Sequence, residues 1–151
     1  MISESARVTT AAEARFRIDK PNARPRAVKV IALDSRADVT MASLAEREWS
    51  GATFFRVAEL THTPHRLDEE IDRADLVVML ATAGEPATDV ETIGRACSAR
   101  RVTTTGLILD SAQVSDEELS RTLSRLRPWA LMLVIANSTE YVEDMLRALR
   151  A

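Results

Sequence analysis

The chain has little cysteine, little glycine and no long apolar run. A single cysteine, Cys97, among 151 residues excludes an internal disulfide framework and fits a reducing compartment. No apolar stretch approaches the roughly 20 residues needed to cross a bilayer, and the polar start MISESARVTT is not typical of a signal peptide. We therefore expect a cytoplasmic protein without a membrane segment.

The net charge is also small, although 28% of the residues are charged. The net charge is −3 and the pI is near 5.5, which argues against a nucleic-acid or anionic-membrane binder. Residues 1–26 carry six basic and three acidic side chains, a net +3, which leaves −6 on the rest of the chain. This asymmetry separates a basic N-terminal arm from the body.

The arm has its own pattern. Small or apolar residues alternate with others between Val8 and Ile18, which is typical of an extended arm or an extra strand. The run KPNARPR at 20–26 then interrupts any regular element. We predict an arm over 1–26 and one α/β domain over 27–151.

From residue 27 onward, strand and helix patterns alternate. Apolar runs predict strands at 27–33, 52–57, 75–81, 102–109 and 130–136. Helical spacing predicts helices at 39–49, 67–73 and 87–99, and two more after the cap signals at 115–118 and 137–140. The segments LVVML and LMLVIA are continuously apolar, as strands buried on both faces are. We predict a three-layer, doubly wound sheet of about five mainly parallel strands, Rossmann-like or flavodoxin-like, with helices on both faces.

The last strand raises a question of order. In the common order 2-1-3-4-5 the segment ALMLVIA lies at a sheet edge, although it is among the most apolar strands of the chain. Either the order differs or something covers that edge. The N-terminal arm, from the same chain or from a second subunit, is the obvious cover, and we expect a homo-oligomer.

Ligands of open parallel sheets bind beyond the carboxyl ends of the strands, where helix N-termini offer free amides. After the first strand, Ser35 and Arg36 supply a hydroxyl and a guanidinium for a phosphate or another anion, although an ordinary capped turn is the alternative. The residues after the fourth and fifth strands read as turns and N-caps. The first loop is therefore one half of a candidate site.

The second half follows the third strand. Thr82 and Thr88 supply hydroxyls, Gly84 allows close backbone approach, and a helix begins directly after them. Glu85 and Asp89, however, place two negative charges where an anion would dock. Both residues are also common in an ordinary turn and helix cap, which is the alternative interpretation of this loop. We predict that Ser35, Arg36, Thr82, Gly84, Glu85 and Thr88 bind an anionic ligand.

Other reactive side chains favour structural roles. His62 and His65 form a His-x-x-His pair near Asp68 and Glu69, but no third ligand on a helical scaffold accompanies them, so solvated loop histidines are favoured over a metal site. Cys97 lies on an inward helical face and reads as a core residue. We therefore predict no metal site, and the sequence leaves the cofactor open.

Part of the chain resembles a known family. The segment ADLVVMLATAGEPATDVETIGRACSARRVTTTGLIL resembles the core of sugar-isomerase (SIS) domains, and KVIALDSRADVTMASLA corresponds to their first strand, loop and helix. The resemblance implies that Ser35, Thr82, Gly84, Glu85 and Thr88 hold the phosphate of a sugar phosphate. The first loop lacks the family's glycines, and no acid–base residue of the family can be placed. The first segment also resembles the nucleotide-binding half of tubulin/FtsZ-like proteins, whose glycine-rich phosphate loop is missing.

Three functions remain open at this point. The first is a domain that senses or carries a phosphorylated or otherwise anionic metabolite. The second is a sugar-phosphate isomerase-type enzyme with Glu85 or a loop histidine as the acid–base group. The third is a protein-interaction module that uses the arm and an exposed sheet edge, without a small ligand. Scarce aromatics (4%) and the lack of a local acid–base cluster favour binding over catalysis.

Overall fold

The computed structural model describes residues 24–87 and 89–151. The strands are β1 (Val28–Ala32), β2 (Ala52–Arg56), β3 (Leu76–Thr82), β4 (Thr103–Leu109) and β5 (Met132–Ala136). The helices are α1 (Ser35–Ala45), α2 (Val57–Thr61), α3 (Arg66–Asp72), α4 (Val90–Arg100), α5 (Asp116–Leu126) and α6 (Thr139–Ala148), with a short 3₁₀ turn at Ser111–Gln113. Most of the predicted arm, residues 1–23, lies outside the described residues, as does Thr88.

All five strands are parallel, in the order β2-β1-β3-β4-β5. Val28 of β1 lies opposite Ala52 on one side and Leu76 on the other. The chain steps outward from β1 to β2 and then returns to β3, so the direction of winding reverses between β1 and β3. The predicted doubly wound α/β fold is confirmed, and β5 lies at an edge.

The sheet has one core layer on each face. All seven residues of β3 are buried, and they alternate between the two layers. One layer packs the sheet against α1 and α6, with Met41, Leu44 and Leu146 among its members. The other packs it against α2, α3, α4 and α5. In the described part of the chain, no helix is long and apolar enough to cross a membrane.

Two helices differ most from the sequence prediction. The helix expected at 39–49 begins at Ser35, because the Asp34 carboxylate caps its first turn by accepting a hydrogen bond from the Ala37 amide at 2.8 Å. The apolar periodicity begins later than the cap, so pattern alone placed the start too late. The loop expected after β2 contains the five-residue helix α2, which is anchored by the buried Leu60.

Gly94 lets a tryptophan pack directly against α4. A Cβ added at this position would lie 2.6 Å from three ring carbons of Trp129, well inside contact distance. The Arg95 guanidinium lies 5.3 Å from the centroid of the same ring. Trp129 therefore joins the end of α5 to α4 through a contact that requires glycine.

We expect Gly94→Ala to lower the free energy of unfolding by about 1–3 kcal/mol, as measured by urea unfolding. The overpacking outweighs the roughly 1 kcal/mol by which alanine favours a helix interior over glycine. Ser98→Ala, at an exposed position of the same helix, should change stability by less than about 0.5 kcal/mol. Combining Gly94→Ala with Trp129→Leu should remove the steric overlap and so reduce the loss of stability caused by the alanine. A Gly94→Ala variant more stable than the wild type would contradict the overpacking explanation.

A buried ion pair ties α3 to the sheet. Lys29 of β1 is only 8% exposed, and its Nζ lies 3.1 Å from the Glu70 carboxylate, whose side chain is 13% exposed. The ammonium also lies 3.4 Å from the Thr53 hydroxyl and 5.9 Å from the centroid of the Phe55 ring. Glu70 is thus the sole carboxylate partner of Lys29 in the described part of the chain.

Candidate functional site

The predicted site residues meet at the carboxyl edge of the sheet, where the strands end. This follows from the parallel topology, which brings the loops after β1, β3 and β4 to one edge. Ser35 and Arg36 begin α1, while Thr82 ends β3 and precedes Gly84 and Glu85. The structure therefore brings these five residues to one region, and Thr88 is not described.

The crevice between β1 and β3 is filled by a side chain of the protein itself. The Asp34 carboxylate accepts hydrogen bonds from the Thr82 amide at 2.7 Å and from the Thr82 hydroxyl at 2.9 Å. With the Ala37 amide at the start of α1, these donors surround the carboxylate as they would a bound anion. Thr82 is fully buried, so its hydroxyl donates to Asp34 and is not exposed to a ligand.

Arg36 is also engaged by neighbouring loops. Its guanidinium donates to the Asp110 carboxylate at 3.0 Å and lies 3.7 Å from the Glu85 carboxylate. These two carboxylates engage the guanidinium that the sequence predicts to bind a ligand phosphate. Arg36 thus connects the loop after β1 with the loops after β3 and β4.

Asp38 adds a further carboxylate near this edge. Burial raises its pKa; Arg56 opposes that shift, whereas Asp34 and Glu59 add to it. Its Oδ1 atom is buried and has no hydrogen-bond partner within the described ranges. The side of the carboxyl edge next to α1 and α2 is therefore acidic and a poor site for an anion.

A cleft lies on the other side, between the loop after β3 and α5. Its volume is about 160 Å³, smaller than the roughly 300–1,000 Å³ of a pocket for a drug-sized ligand. Both signs of charge line it; the lining residues are Gly84, Glu85, Pro86, Glu118, Arg121, Thr122 and Arg125. We call it the α5 cleft.

Gly84 shapes this cleft. Its φ of +85° is a conformation that glycine adopts freely, and an added Cβ would lie 3.0 Å from the Glu118 carboxylate. The Gly84 amide donates to the buried Thr122 hydroxyl at 2.9 Å, and that hydroxyl donates to the Glu118 carbonyl oxygen at 3.2 Å. These contacts fix the loop against α5.

The cations of the cleft come from α5. Arg121 lies 3.3 Å from the exposed Glu117 carboxylate, and Arg125 is exposed and makes no ion pair with any other described residue. Sequence reasoning missed both arginines. The cap at Ser115 predicts where α5 begins, but nothing in the pattern indicates that residues 118–125 of this helix lie beside the loop after β3.

The remaining candidates lie elsewhere. His62 and His65 are exposed on the connection between α2 and α3, and no group of three metal-ligating side chains occurs in residues 24–87 and 89–151. Cys97 is 1% exposed in the core, as predicted. Burial raises the pKa of its thiol, which leaves it a poor nucleophile.

Comparison with known proteins gives a fold and no family. No protein-family model matches the chain, and no curated protein matches it. Among solved structures it is similar to translation elongation factor SelB from Methanococcus maripaludis, in complex with the GTP analogue GppNHp, with a TM-score of 0.54 and 11% identity. The likeness covers 83% of this chain and 33% of that one, so the chain spans about a third of SelB's length. At this identity the likeness shows a shared fold alone.

Proposed function

We propose that the chain is a cytoplasmic domain that binds a small anionic metabolite in the α5 cleft and senses or carries it without turnover. The observation that supports this most is the pair of arginines, Arg121 and Arg125, facing a glycine loop at the carboxyl edge. Guanidinium groups bind carboxylate and phosphate through paired hydrogen bonds. Of the two, Arg125 has a guanidinium that no described carboxylate holds.

The cleft also limits the class of ligand. The Asp34 carboxylate fills the crevice between β1 and β3. The Thr82 donors that the SIS resemblance assigns to a ligand phosphate bind this carboxylate instead. Glu85, from the loop after β3, and Glu118, from α5 itself, also line the cleft, and their carboxylates can accept hydrogen bonds. The ligand that fits is a small one that carries a carboxylate or phosphate together with hydroxyl or amino groups.

Catalysis has less support at this position. Glu85, the candidate acid–base group, lies 3.7 Å from the Arg36 guanidinium, so an ion pair within the protein already engages its carboxylate. The two histidines do not line the cleft. Binding without turnover is the function that these contacts favour.

The test is a thermal-shift panel on the full chain, with inorganic phosphate, sugar phosphates, hydroxy acids, amino acids and nucleotides including GTP. A ligand at about 100 times its dissociation constant adds roughly 2.7 kcal/mol of stability, or several degrees for a domain of this size. We expect a shift from one small anionic class. A flat panel would overturn the proposal.

A matched pair of variants then locates the site. Arg121→Gln/Arg125→Gln should weaken binding at least about tenfold for each arginine, because each loses a charge-assisted hydrogen bond. Arg95→Gln/Arg73→Gln removes the same charge from exposed positions outside the cleft, and the side chains of Arg95 and Arg121 are 69% and 68% exposed. Equal losses in the two double variants would indicate diffuse attraction and contradict a site in the cleft.

A further inference from the structure

The outer edge of β5 exposes apolar side chains to water. β5 is the last strand of the sheet, and within the described ranges no other strand pairs with its outer edge. Leu131 is 82% exposed, Met132 44% and Ile135 40%. Leu131 and Ile135 lie on the sheet face covered by α5, and Met132 lies on the face covered by α6, because side chains alternate along a strand. The edge is therefore apolar on both faces.

The opposite edge of the sheet is built differently. On β2 the exposed residues are Thr53 and Arg56, polar side chains of the kind that discourage further strand pairing. β5 has no such residue between Met132 and Ala136. This contrast within one sheet indicates that β5 is suited to a partner.

Helix α5 borders the exposed edge with a charge at each end. An apolar groove beside β5 is lined by Leu123, Arg127, Ala130, Leu131, Leu133 and Ile135. Arg127 is the C-cap of α5. Eleven residues are three helical turns, so Asp116, at the first position of α5, lies on the same side of the helix. The side of α5 that borders the groove is thus acidic at its first residue and basic at its C-cap.

We propose that a second copy of this chain docks on this edge, with the two β5 strands antiparallel and the two sheets continuous. A two-fold axis would place the two α5 helices side by side in opposite directions. Asp116 of each copy then lies beside Arg127 of the other, so the surface is complementary to itself in charge. The outward amides and carbonyls of β5, which pair with no other strand in residues 24–87 and 89–151, also gain partners.

A second copy fits this edge better than the N-terminal arm does. The arm's alternating pattern between Val8 and Ile18 supplies one apolar face, whereas β5 exposes apolar side chains on two. A second copy brings a strand with a helix layer on each side, so it covers both faces. The occupant inferred here is therefore the same protein.

Sedimentation equilibrium of the full chain tests this inference. We expect a mass twice the 16.7 kDa of the chain. Ile135→Lys should raise the dissociation constant at least about 100-fold, since it places a charge on the pairing edge. Val39→Lys, at a 73% exposed apolar position on α1, is the matched control and should remain dimeric. A monomeric full chain at about 100 µM, or a dimer that survives Ile135→Lys, would overturn the proposal.

Charge reversal identifies the occupant. Asp116→Arg and Arg127→Asp should each weaken the dimer by about tenfold, because every contact occurs twice in a symmetric pair. Combining them should restore the wild-type dissociation constant, which an effect on the helix dipole alone would not do. A double variant as weak as the singles would refute docking by a second copy. Protection of the β5 amides from hydrogen exchange in a monomer would also refute it, and would point to the arm.

Discussion

Replacing Glu70 with alanine is expected to lower the free energy of unfolding by about 3–5 kcal/mol, as measured by urea unfolding. The substitution leaves the Lys29 ammonium, 8% exposed within the sheet, without the carboxylate that lies 3.1 Å away. An unpaired charge in this position loses its Coulombic partner but keeps its desolvation penalty. The effect is therefore much larger than that of a surface ion pair.

Two comparisons separate the loss of the buried pair from other causes. Glu91→Ala removes a carboxylate 2.6 Å from Arg95, but both side chains are more than half exposed, so its cost should be below about 1 kcal/mol. Lys29→Met/Glu70→Leu replaces both charges with apolar groups and should recover most of the lost stability. If Glu70→Ala costs no more than Glu91→Ala, the Lys29 ammonium reaches water.

The second large effect is expected at Asp34. Asp34→Ala should lower the free energy of unfolding by about 3 kcal/mol, because it removes the N-cap of α1 and leaves the buried Thr82 amide and hydroxyl without their acceptor. Asp34→Asn should recover part of this loss, since its single carbonyl oxygen replaces two carboxylate oxygens. Urea unfolding of both variants measures the difference.

A double-mutant cycle tests the contact behind this loss. Thr82→Val removes the hydroxyl that donates to Asp34 at 2.9 Å, so its cost and that of Asp34→Ala should not add. Thr105→Val, at another buried threonine of the sheet (3% exposed), is the control and should be additive with Asp34→Ala. Additivity at Thr82 as well would mean that the hydroxyl contact contributes nothing and that Asp34 acts through the Ala37 and Thr82 amides alone.

The sequence predicts the fold well because the signal is carried by runs of residues. The strands AVKVIAL and DLVVMLA are apolar throughout, and a parallel sheet buried on both faces requires that pattern. The cap at Asp34 also lies in the sequence, yet the prediction placed α1 four residues late because it followed apolar spacing. That the candidate residues meet at one edge could be predicted for a similar reason, since parallel strands bring their carboxyl ends together.

The partners of each side chain could not be predicted in the same way. Asp34 and Thr82 are 48 residues apart in the chain, and Arg36 and Asp110 are 74 apart. Which acceptor each donor finds depends on strand register and loop length, which local pattern does not encode. The position of Arg125 in the cleft could not be predicted for the same reason. It depends on how α5 packs beside a loop that comes much earlier in the chain.

The two tryptophans of the chain fall on opposite faces of the sheet. Trp49 packs against the layer of α1 and α6, and Trp129 packs against the layer that includes α4 and α5. Intrinsic fluorescence can therefore follow each layer separately once the other indole is replaced by phenylalanine. Because both layers share the same five strands, the two emission curves should coincide along a denaturant gradient. The protein thus carries an optical probe of cooperativity for each half of its core.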